Sequence, residues 1–255
     1  MLLADSDSGP AISVAVHAAR LDYGGGPLFA DLDLTLPAGR WTCLLGPSGV
    51  GKTSLLRLIA GLVDPWADSA INCGDGRPLA GRLAYMAQQD LLLPWLSVAD
   101  NVMLGARLRG ERHPDLAQRA HALLNQVGLD GLGARLPAQL SGGQRQRAAL
   151  ARTLMEDRPV VLMDEPFSAL DAITHLHIQD LAASLLRGRT VLLVTHDPLE
   201  ALRLGDRIHV MAGRPARLGA ALALEGAPPR DVRDPGLLRR HAELLGLLAE
   251  AREAA

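Results

Sequence analysis

The spacing of apolar positions changes several times along the chain, and each change predicts an element. From Ala11 to Leu21 apolar residues alternate loosely and stop at a turn, YGGG, at 23–26. The stretch LFADLDLTLPAGRWTCLLG alternates again and closes in an unbroken apolar run. This predicts a strand, a turn at Pro37–Gly39 and a buried strand ending at Gly46. KTSLLRLIAG, 52–61, has helical spacing and a terminal glycine. A polar stretch rich in glycine and proline, 64–81, precedes a short strand, RLAYMAQ. Residues 97–154 are helical throughout, with breaks at Gly110–Pro114, Gly128–Gly133 and Pro137. Apolar strands return as VVLMD and TVLLVTH on either side of a helical segment from about Ala172 to Leu186. Short strands and turns over 208–230 and a closing amphipathic helix, LLRRHAELLGLLAEAREAA, complete the chain, and there are no internal repeats. Strands alternating with helices predict an α/β fold with a mostly parallel sheet, an inserted helical lobe, and ligand loops at the strands' carboxyl ends. The expected organisation is one domain over 11–255. Its core is 11–90 and 155–230, its helical subdomain 91–154 and its closing helix 231–255, after a flexible 1–10.

Composition narrows the class. With 255 residues, 48% of them apolar, the chain can bury a full core. Its longest apolar runs, Val160–Met163 and Val191–Val194, are strand-length, far short of the roughly 20 residues that cross a bilayer. The opening MLLADSDSGPAI carries acids where a secretory signal carries bases, so a cytosolic chain is expected. Cys43 and Cys73 show no pairing pattern, and Cys43, within WTCLL, reads as a small buried thiol. The formal charge is −2 and basic residues are scattered, which argues against a nucleic-acid partner. Of 26 basic residues only Lys52 is lysine.

That lysine lies in GPSGVGKTS: Gly46, Pro47, Ser48, Gly49, Val50, Gly51, Lys52, Thr53 and Ser54. The run fits G-x-x-x-x-G-K-[ST] between a predicted strand and a predicted helix. Backbone amides in such a loop, with the helix N-terminus behind them, direct partial positive charge at phosphate oxygens. Lys52 is expected to reach the β- and γ-phosphates of ATP, and the Thr53 hydroxyl to ligate Mg²⁺. The plainer alternative is a chance glycine turn. VVLMDEP then supplies Asp164 for the metal shell through water and Glu165 to polarise the attacking water, against the alternative of two acids solvating a strand end. His196 ends TVLLVTH, where a γ-phosphate contact is expected; most lone histidines are structural.

A second glycine loop, LSGGQRQRAALART at 140–153, opens a helix. Ser141 is a good N-cap, and Ser141, Gly142, Gly143 and Gln144 also make an anion-ready helix start. Two such loops cannot surround one nucleotide unless the chain folds back on itself, so the simpler arrangement uses two chains.

With these motifs in this order, the sequence resembles the ATP-binding subunits of ABC transporters from Tyr23 to about Arg214. GPSGVGKT corresponds to Walker A, Gln88 to the Q-loop, LSGGQRQR to the signature, VVLMDEP to Walker B, SALD (168–171) to the D-loop and His196 to the switch histidine. The resemblance implies a P-loop NTPase with a small antiparallel β lobe, pairing head to tail as a homodimer. Each ATP then lies between one subunit's Walker A loop and its partner's signature loop, with Asp171 nearby. It also implies that Tyr23 stacks on adenine, a surface tyrosine being the alternative, and that Gln88 joins the Mg²⁺ ligands. Aligning Leu92–Trp95 selects Gln88 over Gln89.

QQDLLLPWLSVADNV is similar to the importers of nitrate, sulfonate, taurine and pyrimidine precursors. MAQQDLLLPWLSV and ARTLMEDRPVVLMDEPFSALDAIT lean towards hydroxymethylpyrimidine uptake. The implied partners are integral membrane permease subunits and, indirectly, a substrate-binding protein, at the cytoplasmic face of the bacterial inner membrane. Trp95 is expected to dock the permease; its alternative is to cap the helical lobe's core. Asp64–Arg82 is short for the family, so a trimmed antiparallel lobe is expected, and no regulatory domain is expected after 214. A soluble ABC-type ATPase acting on DNA or ribosomes is the competing function. A module that binds ATP without hydrolysing it is disfavoured by Lys52, Asp164, Glu165 and His196.

Overall fold

A computed structural model describes residues 11–64, 69–111 and 113–253. The flexible start expected for 1–10 lies outside the described residues. By packing, the described residues divide into two units: those within 11–83, 159–164 and 187–253 form the first, and those within 84–158 and 165–186 the second. The second unit is larger than the helical subdomain read from the sequence, 91–154, because it also includes Gln88, Glu165 and the helix that follows Asp171.

The first unit holds two sheets. Strands β1 (Val14–Asp22), β2 (Pro27–Leu36) and β4 (Ala70–Cys73) make an antiparallel sheet ordered β2-β1-β4. The loose alternation of β1 has a local cause. Ala18 has φ of 48° and the register slips between Val16 and Ala19, so Val14, Val16, Ala19 and Leu21 all face inward despite the odd step. The Asp33 carboxylate accepts the Ala18 amide at 2.9 Å and holds the bulge. The sequence pattern does not predict β4: AINC is a four-residue edge strand with little alternation inside a polar stretch. The short Asp64–Arg82 stretch therefore still supplies a third strand.

The larger sheet runs β10 (Leu222–Ala223), β8 (Arg207–Ala212), β3 (Trp41–Leu45), β7 (Thr190–Val194) and β6 (Val160–Asp164), with β9 (Arg217–Leu218) beside β8. β8, β3, β7 and β6 are mutually parallel. Every residue of β3, β6 and β7 is buried, which is why these strands read as unbroken apolar runs. Helix α1 (Lys52–Ile59) packs near β6, and α7 (Pro198–Leu204) and α8 (Pro235–Glu253) pack on β3 and β8. Helix α7 is absent from the elements read from the sequence, although Asp197 caps it by accepting the Leu199 amide at 2.8 Å and proline opens it. β5 (Leu83–Met86) carries the chain into the second unit.

That unit is helical: α2 (Val98–Val102), α3 (Leu104–Leu108), α4 (Leu116–Gln126), α5 (Gly142–Met155) and α6 (Ala172–Leu185). α2, α4 and α5 pack through Val98, Val102, Leu123, Leu124, Ala148 and Leu150. Asn101 is fully buried on α2 and acts as a local hub. Its carboxamide oxygen accepts the Leu93 amide at 2.7 Å, and its Nδ2 donates to the carbonyls of Leu93, Leu96 and Ser97 at 3.1, 3.1 and 3.0 Å. Asn101→Leu keeps the forked shape but is bulkier and leaves these groups without their partner, a loss of about 3 kcal/mol. Thermal denaturation is expected to show a melting temperature lower by at least about 6 °C, and a shift under about 2 °C would refute the hub role.

Candidate nucleotide site

Parallel register sets the site in the first unit. Leu44 of β3, Val194 of β7 and Asp164 of β6 are paired in one row, so the carboxyl ends of the three strands are level. Strands spaced about 4.8 Å apart put the β6 end roughly 10 Å across the sheet from the β3 end. Beyond β3 comes the Gly46–Ser54 loop, at the end of β6 stands Asp164, 1% exposed, and two residues beyond β7 stands His196, exposed. The Thr195 amide donates to the Leu44 carbonyl at 3.2 Å, holding the β7 exit against the loop's entry.

The loop itself has no slack. Gly46 has φ of 147°, and a Cβ there would stand 2.2 Å from the Met211 carbonyl oxygen, so only glycine lets the chain leave β3 beside β8. No side chain caps α1, whose N-cap is Gly51, so the positive end of the helix is left for a ligand. Lys52 is 8% exposed, and its ammonium donates to the Gly46 and Pro47 carbonyls at 2.8 Å each, which places the charge inside the loop. An uncapped helix start, a loop with an inward ammonium, and a hydroxyl at Thr53 with a buried carboxylate at Asp164 fit a nucleotide phosphate with a hard divalent cation.

Tyr23 is 64% exposed and shares a cavity of about 460 Å³ with Gly49 and Val50 of the loop. Pro27, Leu28 and Arg214 line the same cavity. Arg214 is not among the site residues read from the sequence, where it has no patterned neighbours to mark it.

The second unit gathers other residues. Gln88 Nε2 donates to Glu165 Oε2 at 3.3 Å; Gln89 is exposed and makes no such bond. Glu165 has φ of 48°, a left-handed conformation that a non-glycine residue adopts only when its surroundings impose it. The fastening comes from Gln146, 6% exposed on α5, whose Nε2 donates to the carbonyls of Glu165 and Pro166 at 3.2 and 3.1 Å, and from the Ser168 hydroxyl at 3.1 Å. Gln146 stands inside the LSGGQRQR motif but is not among the site residues read from the sequence. A further signal is its position on the buried face of α5 with Ala149, Leu150 and Thr153, where a glutamine must find partners.

Ser141 starts α5 with a reciprocal cap. Its hydroxyl accepts the Gln144 amide at 3.2 Å, and the Gln144 carboxamide accepts the Ser141 amide at 2.8 Å. A Cβ on Gly143 would lie 3.0 Å from the Ala169 carbonyl, so the signature glycine is where 168–171 comes closest to the helix start. Asp171 caps α6 by accepting the Thr174 amide at 3.1 Å, and Thr174 holds its carboxyl below the usual carboxylate range. Cys43 and Cys73 are both buried free thiols, and burial, reinforced by Glu200 and Asp206, pushes Cys43 well up.

Residues 29–168 match the family described as ABC transporter. An uncharacterized ABC transporter ATP-binding protein of Haemophilus influenzae is 43% identical over 238 residues, 91% of this chain and 97% of that protein. The aliphatic sulfonates import ATP-binding protein SsuB 2 of Burkholderia cenocepacia is 43% identical over 235 residues, 90% of this chain and 85% of that protein. Among solved structures, a dimeric ATP-binding cassette in a post-hydrolysis state, bound to ADP and Pi, is similar with a TM-score of 0.74. It is 29% identical, over 84% of this chain and 99% of that one. With the family match running through the phosphate loop, the signature and the Asp164 strand, and with relatives aligned over some nine-tenths of its length, the chain belongs to the ABC transporter family, as an ATP-binding subunit that hydrolyses ATP.

Proposed function

We propose that this ATPase drives solute import through a separate membrane permease, pairing head to tail with a second copy of itself around two ATP. The observation that carries the reading is the Gln88–Glu165 hydrogen bond. It ties the acid read as activating water to the segment that leads into an exposed Leu91 and Trp95, 58% and 72% exposed. A monomer gains nothing by leaving a tryptophan in water, and tryptophan is a preferred interface anchor. Trp95 as a cap on the helical core does not agree with that exposure.

In this reading Lys52 and the amides of Gly46–Ser54 hold the β- and γ-phosphates, and Tyr23 stacks on the base. Thr53, Gln88 and Asp164 would hold Mg²⁺, which would supply charge neutralisation at the β- and γ-phosphates. Glu165 orients a water and takes its proton as the water oxygen attacks the γ-phosphorus and ADP leaves, while His196 contacts the γ-phosphate. Ser141–Gln144 and Asp171 serve the nucleotide held by the partner subunit. The dimeric cassette among the similar structures supports pairing.

No described helix is long and apolar enough to cross a membrane, which agrees with a subunit held at the cytoplasmic face of the inner membrane by its permease. Relatives named for aliphatic sulfonates import favour a sulfonate-class solute over the hydroxymethylpyrimidine suggested by sequence likeness.

Glu165→Gln is expected to keep ATP affinity and lower the hydrolysis rate by at least about 10²-fold, with an ATP-dependent dimer in gel filtration. Hydrolysis at the parental rate would remove Glu165 from its role. Trp95→Ala is expected to leave melting temperature and basal ATPase unchanged in the purified subunit. A strain carrying it is expected to lose growth on an alkanesulfonate as sole sulfur source while growing normally on sulfate. A large fall in melting temperature would place Trp95 in the core, and undisturbed growth on the sulfonate would remove Trp95 from the contact with the permease.

A further inference from the structure

The loop that leaves Gln88 is gripped from two sides within the second unit. At its start, Arg145 Nε donates to Asp90 Oδ2 at 3.0 Å, and Arg152 donates to the Asp90 and Leu91 carbonyls at 2.7 and 2.8 Å. The other Asp90 oxygen accepts the Leu92 amide at 3.1 Å. At its far end the Asn101 carboxamide holds Leu93, Leu96 and Ser97. Between them Leu91 has φ of 46°, a backbone conformation leucine keeps only when both neighbours are fastened. The loop that presents Leu91 and Trp95 to solvent is therefore held by buried or half-buried side chains at both ends.

The fastening comes from one helix. Arg145 and Arg152 are two turns apart on α5, so they project from the same side of it. The same helix begins at the capped Ser141 and carries Gln146, which holds the Glu165 and Pro166 carbonyls. Burial pushes the Arg152 guanidinium down, with the Asp90 carboxylate opposing. Withdrawing an arginine from water is unfavourable unless its donors find acceptors, and here the Asp90 and Leu91 carbonyls supply them, so the guanidinium and the loop fix each other.

We propose that Asp90, Arg145 and Arg152 form a positioning clamp that makes the exposed Leu91–Trp95 loop and the signature loop move as one piece. The proposal rests on the head-to-tail reading above: engagement of the loop by a membrane subunit and approach of Ser141 to the partner's nucleotide then become a single event. None of the three clamp residues touches nucleotide. Coupling of this kind is reciprocal, so closure on ATP is expected to be felt at the Trp95 loop even when no membrane subunit is present.

Trp95 is its own reporter, read as the part of the protein's fluorescence that Trp95→Phe removes. In full-length Glu165→Gln protein, ATP is expected to shift this signal at the protein concentration where gel filtration shows the dimer. Adding Asp90→Asn or Arg152→Ala is expected to shrink the shift at least about fivefold while ATP affinity stays at the parental value, with melting temperature kept by Asp90→Asn and lowered by Arg152→Ala, which leaves two carbonyls without their donor. Asp90→Glu, which restores the carboxylate, is expected to recover it. A dimer whose Trp95 signal ignores ATP, or responds equally with and without the clamp, overturns the proposal. So does a response lost only in step with melting temperature and not recovered by Asp90→Glu, because the clamp would then serve stability alone. Absence of the ATP-dependent dimer, seen by size in the same samples before any fluorescence is read, overturns the head-to-tail reading and the clamp with it.

Discussion

The parallel pairing of β3, β7 and β6 is the constraint from which the nucleotide site follows. Three strands of five buried residues each end level with one another, and whatever follows them is delivered to one edge of the sheet. A slip of one residue in any strand would turn its side chains to the opposite face and carry Asp164 or the Gly46 turn out of line. Gly46 then has to pass the Met211 carbonyl at a distance that no side chain tolerates. The site is thus strict because the sheet is, and the loop adds an ammonium and an uncapped helix to a geometry already set.

In the second unit the corresponding role falls to α5. One helix starts at Ser141, fastens the Glu165 segment through Gln146, and fastens the exit of Gln88 through Arg145 and Arg152. Glu165 and Leu91 both carry left-handed backbone angles, and both lie where α5 has a side chain bonded to the chain. Strain of this sort persists where surrounding bonds over-determine it, so Glu165 and Leu91, two of the three such non-glycine residues described in the unit beside Asp157, mark places where α5 holds the chain.

Much of this arrangement is legible in the amino-acid sequence. The unbroken runs WTCLL, VVLMD and TVLLV predict buried strands, and GPSGVGKTS predicts its own loop, because burial on both faces and phosphate binding leave direct marks on residue type. Ser141 is readable as a cap for the same reason. β4 is hidden because a short edge strand with one face in solvent has no pattern to show. α7 carries a proline and an Asp197 cap, but at seven residues it is too short for a helical period to stand out behind the strand before it. The arginine clamp is out of reach for a different reason. A side chain that bonds a backbone carbonyl 61 positions away needs only reach and a donor, and it leaves no periodicity and no demand on the residue it holds.

The account stands on the claim that each chain completes its partner's site. Ser48 of the phosphate loop and Ser141 of the signature are both exposed, while the native Cys43 and Cys73 are buried. The direct measurement mixes subunits carrying Ser48→Cys with subunits of a different tag length carrying Ser141→Cys, both in the Glu165→Gln background, and oxidises them with and without ATP. A disulfide-linked heterodimer that forms only with ATP is the predicted result. ATP bound at full affinity with no cross-link between the two subunits would contradict it.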